Sequence, residues 1–277
     1  MITIRVLLEN TAREEGLHCA HGLSMYVRTP GHKLLFDAGP NDFFARNAET
    51  LGVDLSQVDM AVLSHGHYDH SGGLEDFFRI NPQAPLYLRR EALDGCYSKS
   101  YGPEPKYIGL SPALESYQDR MRFAQDERKI DRELMLFSAK ERQDPPLRAN
   151  SKLLRREGDS FCQDDFRHEI NLLITSGEKA VLLAGCAHSG IVPIMARCEA
   201  LLGRAPDIVL GGFHLFAPRT GETEPEELIR EIGRKLAKWP SRYYTGHCTG
   251  EKAYGQLKEI LGDRLQPLYG GLKLTIE

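Results

Sequence analysis

VLSHGHYDHSGGL, residues 62 to 74, places three histidines and an aspartate within six positions. The apolar run DMAVLSH (59–65) reads as a buried strand that ends at His65. Residues two apart in extended chain point the same way, so His65 and His67 aim their imidazoles at one point. Asp69 and His70 are adjacent and diverge, which suits a second point close by. Two metal ions roughly 3.5–4 Å apart would use all four side chains and clamp both the attacking and the leaving oxygen of a substrate. Gly66, Gly72 and Gly73 allow the tight backbone turns such a site needs. A solvated loop carrying histidines by chance does not account for four ligand-type residues in this pattern, so the stretch is read as a metal site.

The surrounding chain has ordinary globular composition. Its 277 residues are 41% apolar and 27% charged, enough apolar material for one large α/β domain over 1–277. A net charge of −4 offers no general attraction to nucleic acid or to an anionic membrane. No run approaches the ~18 apolar residues of a spanning helix, and MITIRVLLENT reads as a first strand rather than a leader. The six cysteines are scattered rather than densely spaced, which points to a reduced, cytoplasmic protein.

Strand-like runs come in two batches. The first is 2–8, 24–29, 33–39, 59–65 and 84–90; the second is 170–175, 180–186, 207–213, 272–277 and, more weakly, 241–246. Helical patterns lie between them at 41–52, 72–81, 189–203, 224–239 and 251–262. Two sheets packed together with helices outside follow from this order. Residues 93–160 differ: rich in Tyr, Pro, Arg and Gln and weakly periodic, they read as an insertion or lid with strands at RMRFA and ELMLFS. Within them, residues 120–156 hold eleven Lys or Arg against six Asp or Glu, a surplus of five positive charges that leaves the remainder at −9. Such a segment either guides an anionic substrate or is a solvated face. Tyr97, Tyr101 and Tyr107 are candidates to stack on a flat ring, or plain cover for a core edge.

SHGHYDH matches the H-x-H-x-D-H signature of the metallo-β-lactamase fold superfamily, and the strand and helix order resembles its four-layer αββα sandwich. The resemblance implies one or two ions, usually Zn2+ and in some branches iron or manganese. It gives His65 and His67 to the first ion and Asp69 and His70 to the second. Later ligands are sought in LLAGCAHSG (Cys186, His188), LGGFHLF (His214) and YTGHCTG (His247, Cys248). His247 matches the last ligand of the superfamily. Cys186 stands where an aspartate is usual, and His188 is a candidate to serve in its place. The earlier histidine of the pattern has no clean match, with Asp165 and His168 near its position. His214 is read as facing substrate, Cys248 as structural, and His18, Cys19 and His21 as a loop at the site mouth. GCAHSGI, GGFHL and GHCTG together resemble one branch of metal-dependent hydrolases. Many of its members are labelled 7,8-dihydropterin-6-yl-methyl-4-(β-D-ribofuranosyl)aminobenzene-5′-phosphate synthase.

A zinc-type ion held by imidazoles lowers the pKa of its water to about 7. Asp69 beside that water would orient it and shuttle a proton. Asp37 and Ser64 are expected to support the ligand histidines. The leading expectation is a hydrolase acting on a small phosphorylated or cyclic ester-like anion. A synthase or transferase using a pterin pyrophosphate is the alternative, and a non-catalytic metal-stapled sensor a third.

Overall fold

In the strand Ile2–Leu8, Ile2, Ile4 and Val6 are buried while Thr3 and Arg5 are half-buried, the period-two pattern of a sheet with one face on a core. The computed structural model describes all residues, 1–277. This strand lies next to the edge of a seven-stranded sheet ordered Lys273–Ile276, Ile2–Leu8, Ser24–Arg28, Lys33–Phe36, Met60–Val62, Leu86–Arg89, Met121–Ala124. A second seven-stranded sheet runs Glu127–Lys129, Leu134–Phe137, Asn171–Ser176, Lys179–Leu183, Ile208–Gly212, Arg242–Gly246, Leu265–Pro267. Read in these directions, each sheet begins with three antiparallel pairings and continues with three parallel ones. The two halves of the chain therefore repeat one architecture without repeating a sequence.

Three apolar layers hold the sandwich. Ile4, Met25 and Leu34 of the first sheet meet Leu136, Leu172 and Leu183 of the second in the central one. The first sheet's outer face is covered by helices Phe43–Thr50 and Leu74–Ile80 through Phe44, Phe77 and Phe78. The second is covered by Ile191–Leu202, Glu226–Leu236 and Glu251–Leu261. In Glu226–Leu236 the buried Leu228, Ile229, Ile232 and Leu236 recur at helical spacing, with acids in the first turn and bases in the last. The order is helix, sheet, sheet, helix: the four-layer αββα sandwich of the metallo-β-lactamase fold.

Two sequence expectations change. The strand expected over 59–65 spans only Met60–Val62, so His65 and His67 lie in the loop beyond it and owe their common aim to that loop rather than to the pleat. The segment 93–160 is not one detached insertion. RMRFA and ELMLFS supply Met121–Ala124 and Leu134–Phe137, which belong to the two main sheets. What stands outside the sandwich is a four-stranded sheet, Ser160–Gln163, Leu153–Glu157, Cys96–Ser98, Lys106–Tyr107. Short strands with polar outer faces carry weak periodicity, which is why the sequence did not separate them.

Candidate metal centre

The ends of the parallel strands meet at one edge of the sandwich, where open α/β sheets place ligands. Asp37 follows Lys33–Phe36, and Ser64 and His65 follow Met60–Val62. From the other sheet, Cys186 and His188 follow Lys179–Leu183, His214 follows Ile208–Gly212, and His247 follows Arg242–Gly246. Only five non-glycine residues have left-handed backbone: Asp37 (φ 58°), Phe166 (51°), Ala187 (56°), His214 (48°) and His247 (48°). Four of them sit at these strand ends. Each costs about 1–3 kcal/mol and persists where surrounding packing fixes it, which concentrates backbone strain on this edge.

His65, His67 and His188 form a nearly equilateral triangle, with ring centroids 4.7 Å (65–67), 4.8 Å (67–188) and 4.9 Å (65–188) apart. The Nε2 atoms of all three are buried and have no hydrogen-bond partner. Their other nitrogens are occupied where the structure defines a contact. His65 Nδ1 is 2.8 Å from Ser64 Oγ, and His188 Nδ1 is 2.9 Å from Asn150 Oδ1. Burial, then the neighbouring imidazoles, holds His65 and His188 well below the usual histidine range, so both are neutral. Three desolvated lone pairs left without donors would each cost about 1–3 kcal/mol. A cation beside them would satisfy these nitrogens, and the ligand atoms of His65, His188 and Cys186 lie within 4.8 Å of one another, so the residues fit a metal ion.

A second set adjoins the first. His70 Nε2 lies 3.2 Å from His247 Nε2 and 3.2 Å from Cys186 Sγ, and Asp69 Oδ2 lies 3.4 Å from His247 Nε2. His70 Nδ1 is 2.7 Å from Asp37 Oδ2, and His247 Nδ1 is 3.0 Å from Asn10 Oδ1. Burial pushes the Asp69 carboxyl up, but His247, His70 and His21 outweigh it and keep the group ionised. Burial pushes His247 down, yet the negative charges of Cys248 and Asp69 lift it to about 9. A thiol, a carboxylate and two imidazoles with ligand atoms within 4.8 Å of one another make a donor set for a metal ion. Cys186 groups with Asp69, His70 and His247 on one side and with His65 and His188 on the other, so it occupies the junction of the two sets.

Sequence reasoning and geometry differ at several residues. His188 lies with His65 and Cys186 in one donor group, its ring also against that of His67, while Cys186 belongs to both donor groups. Asp165 is exposed and faces Arg155 and Arg167. His168 is buried behind the site, its Nδ1 accepting from Gly66 N at 3.1 Å and its Nε2 facing Asp164 Oδ2 at 3.0 Å. With Cys96 and Asp164 it brings a ligand atom within 4.8 Å of one on His67. Cys248, read as structural, lies within ligand reach of Cys186 and His214. His214 is buried with neither ring nitrogen partnered, and its ring centroid is 4.0 Å from that of His188. His21, on the loop expected at the mouth, stacks on His247 at 4.4 Å and brings Nε2 to 3.5 Å from Asp69 Oδ2.

A cleft with a cavity volume of about 90 Å³ leads to this edge, lined by His67, Asp69, His188, His214 and His247 among others. None of the eleven Lys or Arg of 120–156 lines it; the lysine or arginine that does is Arg219, which no motif announces. Tyr101 also lines it, whereas Tyr97 and Tyr107 pack on each other at 5.3 Å outside it. No helix is long and apolar enough to cross a membrane.

Comparison with known proteins agrees with this geometry. Residues 19–198 match the family described as the metallo-beta-lactamase superfamily. A 7,8-dihydropterin-6-methyl-4-(beta-D-ribofuranosyl)-aminobenzene-5'-phosphate synthase of Methanocaldococcus jannaschii is 26% identical, covering 91% of this chain and 88% of that protein. An uncharacterized protein of the same organism is 26% identical over 93% of this chain and 94% of its own. The crystal structure of Tm1679, a metal-dependent hydrolase of the beta-lactamase superfamily, aligns over 100% of this chain and 99% of that one, at 28% identity and a TM-score of 0.82. With two sheets, their covering helices and a histidine-rich edge all in place, the chain belongs to the metallo-beta-lactamase superfamily.

Proposed function

We propose that the protein is a metal-dependent hydrolase of a small anionic ester, with His65, His67 and His188 holding one ion and Asp69, His70, His247 and Cys186 the other. The observation that carries this is three neighbouring buried imidazoles with unpartnered Nε2 atoms beside a second donor set. Bound ions of the zinc type would supply Lewis-acid polarisation and lower the pKa of a bound water to about 7. The chain's own residues do the rest. Asp69, ionised and lining the cleft, has a carboxylate oxygen that would orient a nucleophilic water and take up a proton. His21, 3.5 Å from Asp69 Oδ2 and at the mouth, is placed to pass the proton outward. His214, with unpartnered ring nitrogens in the cleft, donates to oxygen charge that develops on the substrate.

Elemental analysis of the folded protein is the first test, with about two ions per chain expected. His67→Ala should retain its circular dichroism, lose one ion and lose turnover of 4-nitrophenyl phosphate esters. Full ion content in that variant would remove the ligand assignment. The likeness to the Methanocaldococcus jannaschii synthase supports a second reading, a synthase or transferase that joins two substrates at the same ions. Turnover of a single ester in water favours the hydrolase; product formation that needs both partners favours the synthase.

A further inference from the structure

Three neighbouring parallel strands of the second sheet, Lys179–Leu183, Ile208–Gly212 and Arg242–Gly246, are each followed closely by a soft or borderline donor: Cys186, His214 and Cys248. One ligand atom from each lies within 4.8 Å of the other two, and all three residues are buried yet line the metal cleft. Both ring nitrogens of His214 lack a hydrogen-bond partner, although the residue is more than nine-tenths buried. The Cys248 Sγ lies 3.7 Å from the carbonyl oxygen of Cys186. The turn His247–Thr249 that carries this sulfur is fixed against the strand end before His214. There Thr249 Oγ1 accepts from Phe213 N at 3.0 Å and shares a hydrogen bond with Thr245 Oγ1 at 2.6 Å. Glycine at 212 leaves room for the sulfur, since a Cβ there would lie 2.4 Å from it.

We infer that Cys186, His214 and Cys248 form a third cation site, on the cleft, that takes a thiophilic ion. Two sulfurs and an imidazole select zinc, cadmium or copper(I) over magnesium and calcium, which take oxygen ligands. Three protein donors leave one position of a tetrahedral ion for a group from the cleft. The ion holds the two thiols as thiolates, and their protons pass to solvent. Cys186 is shared with the second ion of the proposed pair, and a thiolate has lone pairs enough to bridge two cations. Sharing a donor makes this the weaker site, so it fills when added cation is in excess. His214 keeps its place toward substrate. An ion on one ring nitrogen puts the proton on the other and fixes that nitrogen as a donor. The inference shares Cys186 with the proposed pair of ions and is otherwise independent of the reaction proposed there.

The test is titration with cadmium of the reduced full chain already holding about two zinc ions. Zinc and cadmium content, the ultraviolet thiolate-to-cadmium band and the cadmium NMR shift are read on each sample. One cadmium per chain is expected to add to the zinc, with the shift of an ion bound by two sulfurs. Magnesium in its place should add no ion. Cys248→Ser is expected to keep its zinc and lose the added cadmium together with its band. His214→Ala should weaken cadmium binding at least about 10-fold, the least that loss of a group supporting a metal ligand costs. Cadmium that replaces zinc instead of adding to it overturns the third site, as does equal uptake by Cys248→Ser with an unchanged band. Should Cys248→Ser fail to fold, the shift in the unaltered chain decides, and an added ion bound by fewer than two sulfurs overturns the site. Failure of the third site and failure of the hydrolase reading are separable. Ester turnover by the zinc-loaded chain, with no cadmium uptake that depends on Cys248, removes the third site alone. Uptake that depends on Cys248, in a chain that turns over no ester, removes the hydrolase alone.

Discussion

Asp37 shows how one side chain organises both donor sets. Its Oδ1 accepts from Ser64 N at 2.7 Å, and its Oδ2 accepts from Ser64 Oγ at 2.7 Å and faces His70 Nδ1 at 2.7 Å. Through Ser64 it fixes His65, and directly it fixes His70, so both sets of donors lean on a single buried carboxylate. An aspartate tolerates the left-handed backbone that the position demands (φ 58°). Asparagine tolerates it too, which makes Asp37→Asn a clean probe. The amide has one acceptor oxygen for three donors, so His65 and His70 lose their fixed orientation while the backbone stays. Ion affinity, read by competition with a chelator, is expected to fall about 10- to 100-fold, with circular dichroism unchanged. An affinity within twofold of the parent would mean that Asp37 supports the fold and not the ions. This support was legible in the sequence, because Asp37 and Ser64 end neighbouring strand-like runs. Asn10, Asn150 and Arg219 were not, since a lone amide or arginine in a polar turn carries no periodicity.

At the level of elements, local patterns predicted what forms and the close approaches decide where it stops. The helix expected over 189–203 runs Ile191–Leu202 and ends at Gly203 in left-handed conformation (φ 77°). The strand before the histidines was drawn too long, because apolar residues continue through Leu63 while pairing ends at Val62. The contrast between Gly72 and Gly255 tests how much tolerance the elements have. A Cβ on Gly72 would lie 2.1 Å from the carbonyl oxygen of Pro40, a backbone atom that holds the turn after the metal motif. Gly255, inside the helix Glu251–Leu261, would meet nothing within 4 Å. Gly72→Ala is therefore expected to destabilise by about 1–3 kcal/mol through overpacking. Gly255→Ala should stabilise by about 0.5–1 kcal/mol, because alanine loses less conformational freedom in a helix. Chemical denaturation of the two variants reads both. Equal effects would mean that the contact at Pro40 is not what requires glycine at 72.

On the scale of the whole molecule, the site joins two halves that each have their own apolar support. His65, His67, Asp69 and His70 come with the first sheet, and Cys186, His188 and His247 with the second. At the opposite end the sheets are clasped by Thr29 Oγ1 donating to Glu133 Oε2 at 2.5 Å and by His32 Nε2 facing Asp131 Oδ2 at 2.5 Å. Between these ends lies the central core, so the sandwich does not depend on ions for its existence as a zinc finger does. Ions that draw donors from both sheets should nevertheless bind the native chain and not the unfolded one. Stripping with a chelator is expected to lower the unfolding temperature without unfolding the protein at 25 °C. Restoring zinc should raise that temperature in a concentration-dependent way, as about 2.7 kcal/mol at a hundredfold excess over Kd requires. His67→Ala should lose most of this response and Glu133→Ala none of it, since Glu133 clasps the far end. An unfolding temperature indifferent to zinc in the parent chain would mean that the converging donors do not hold an ion across the two sheets, and the proposed chemistry would lose its foundation.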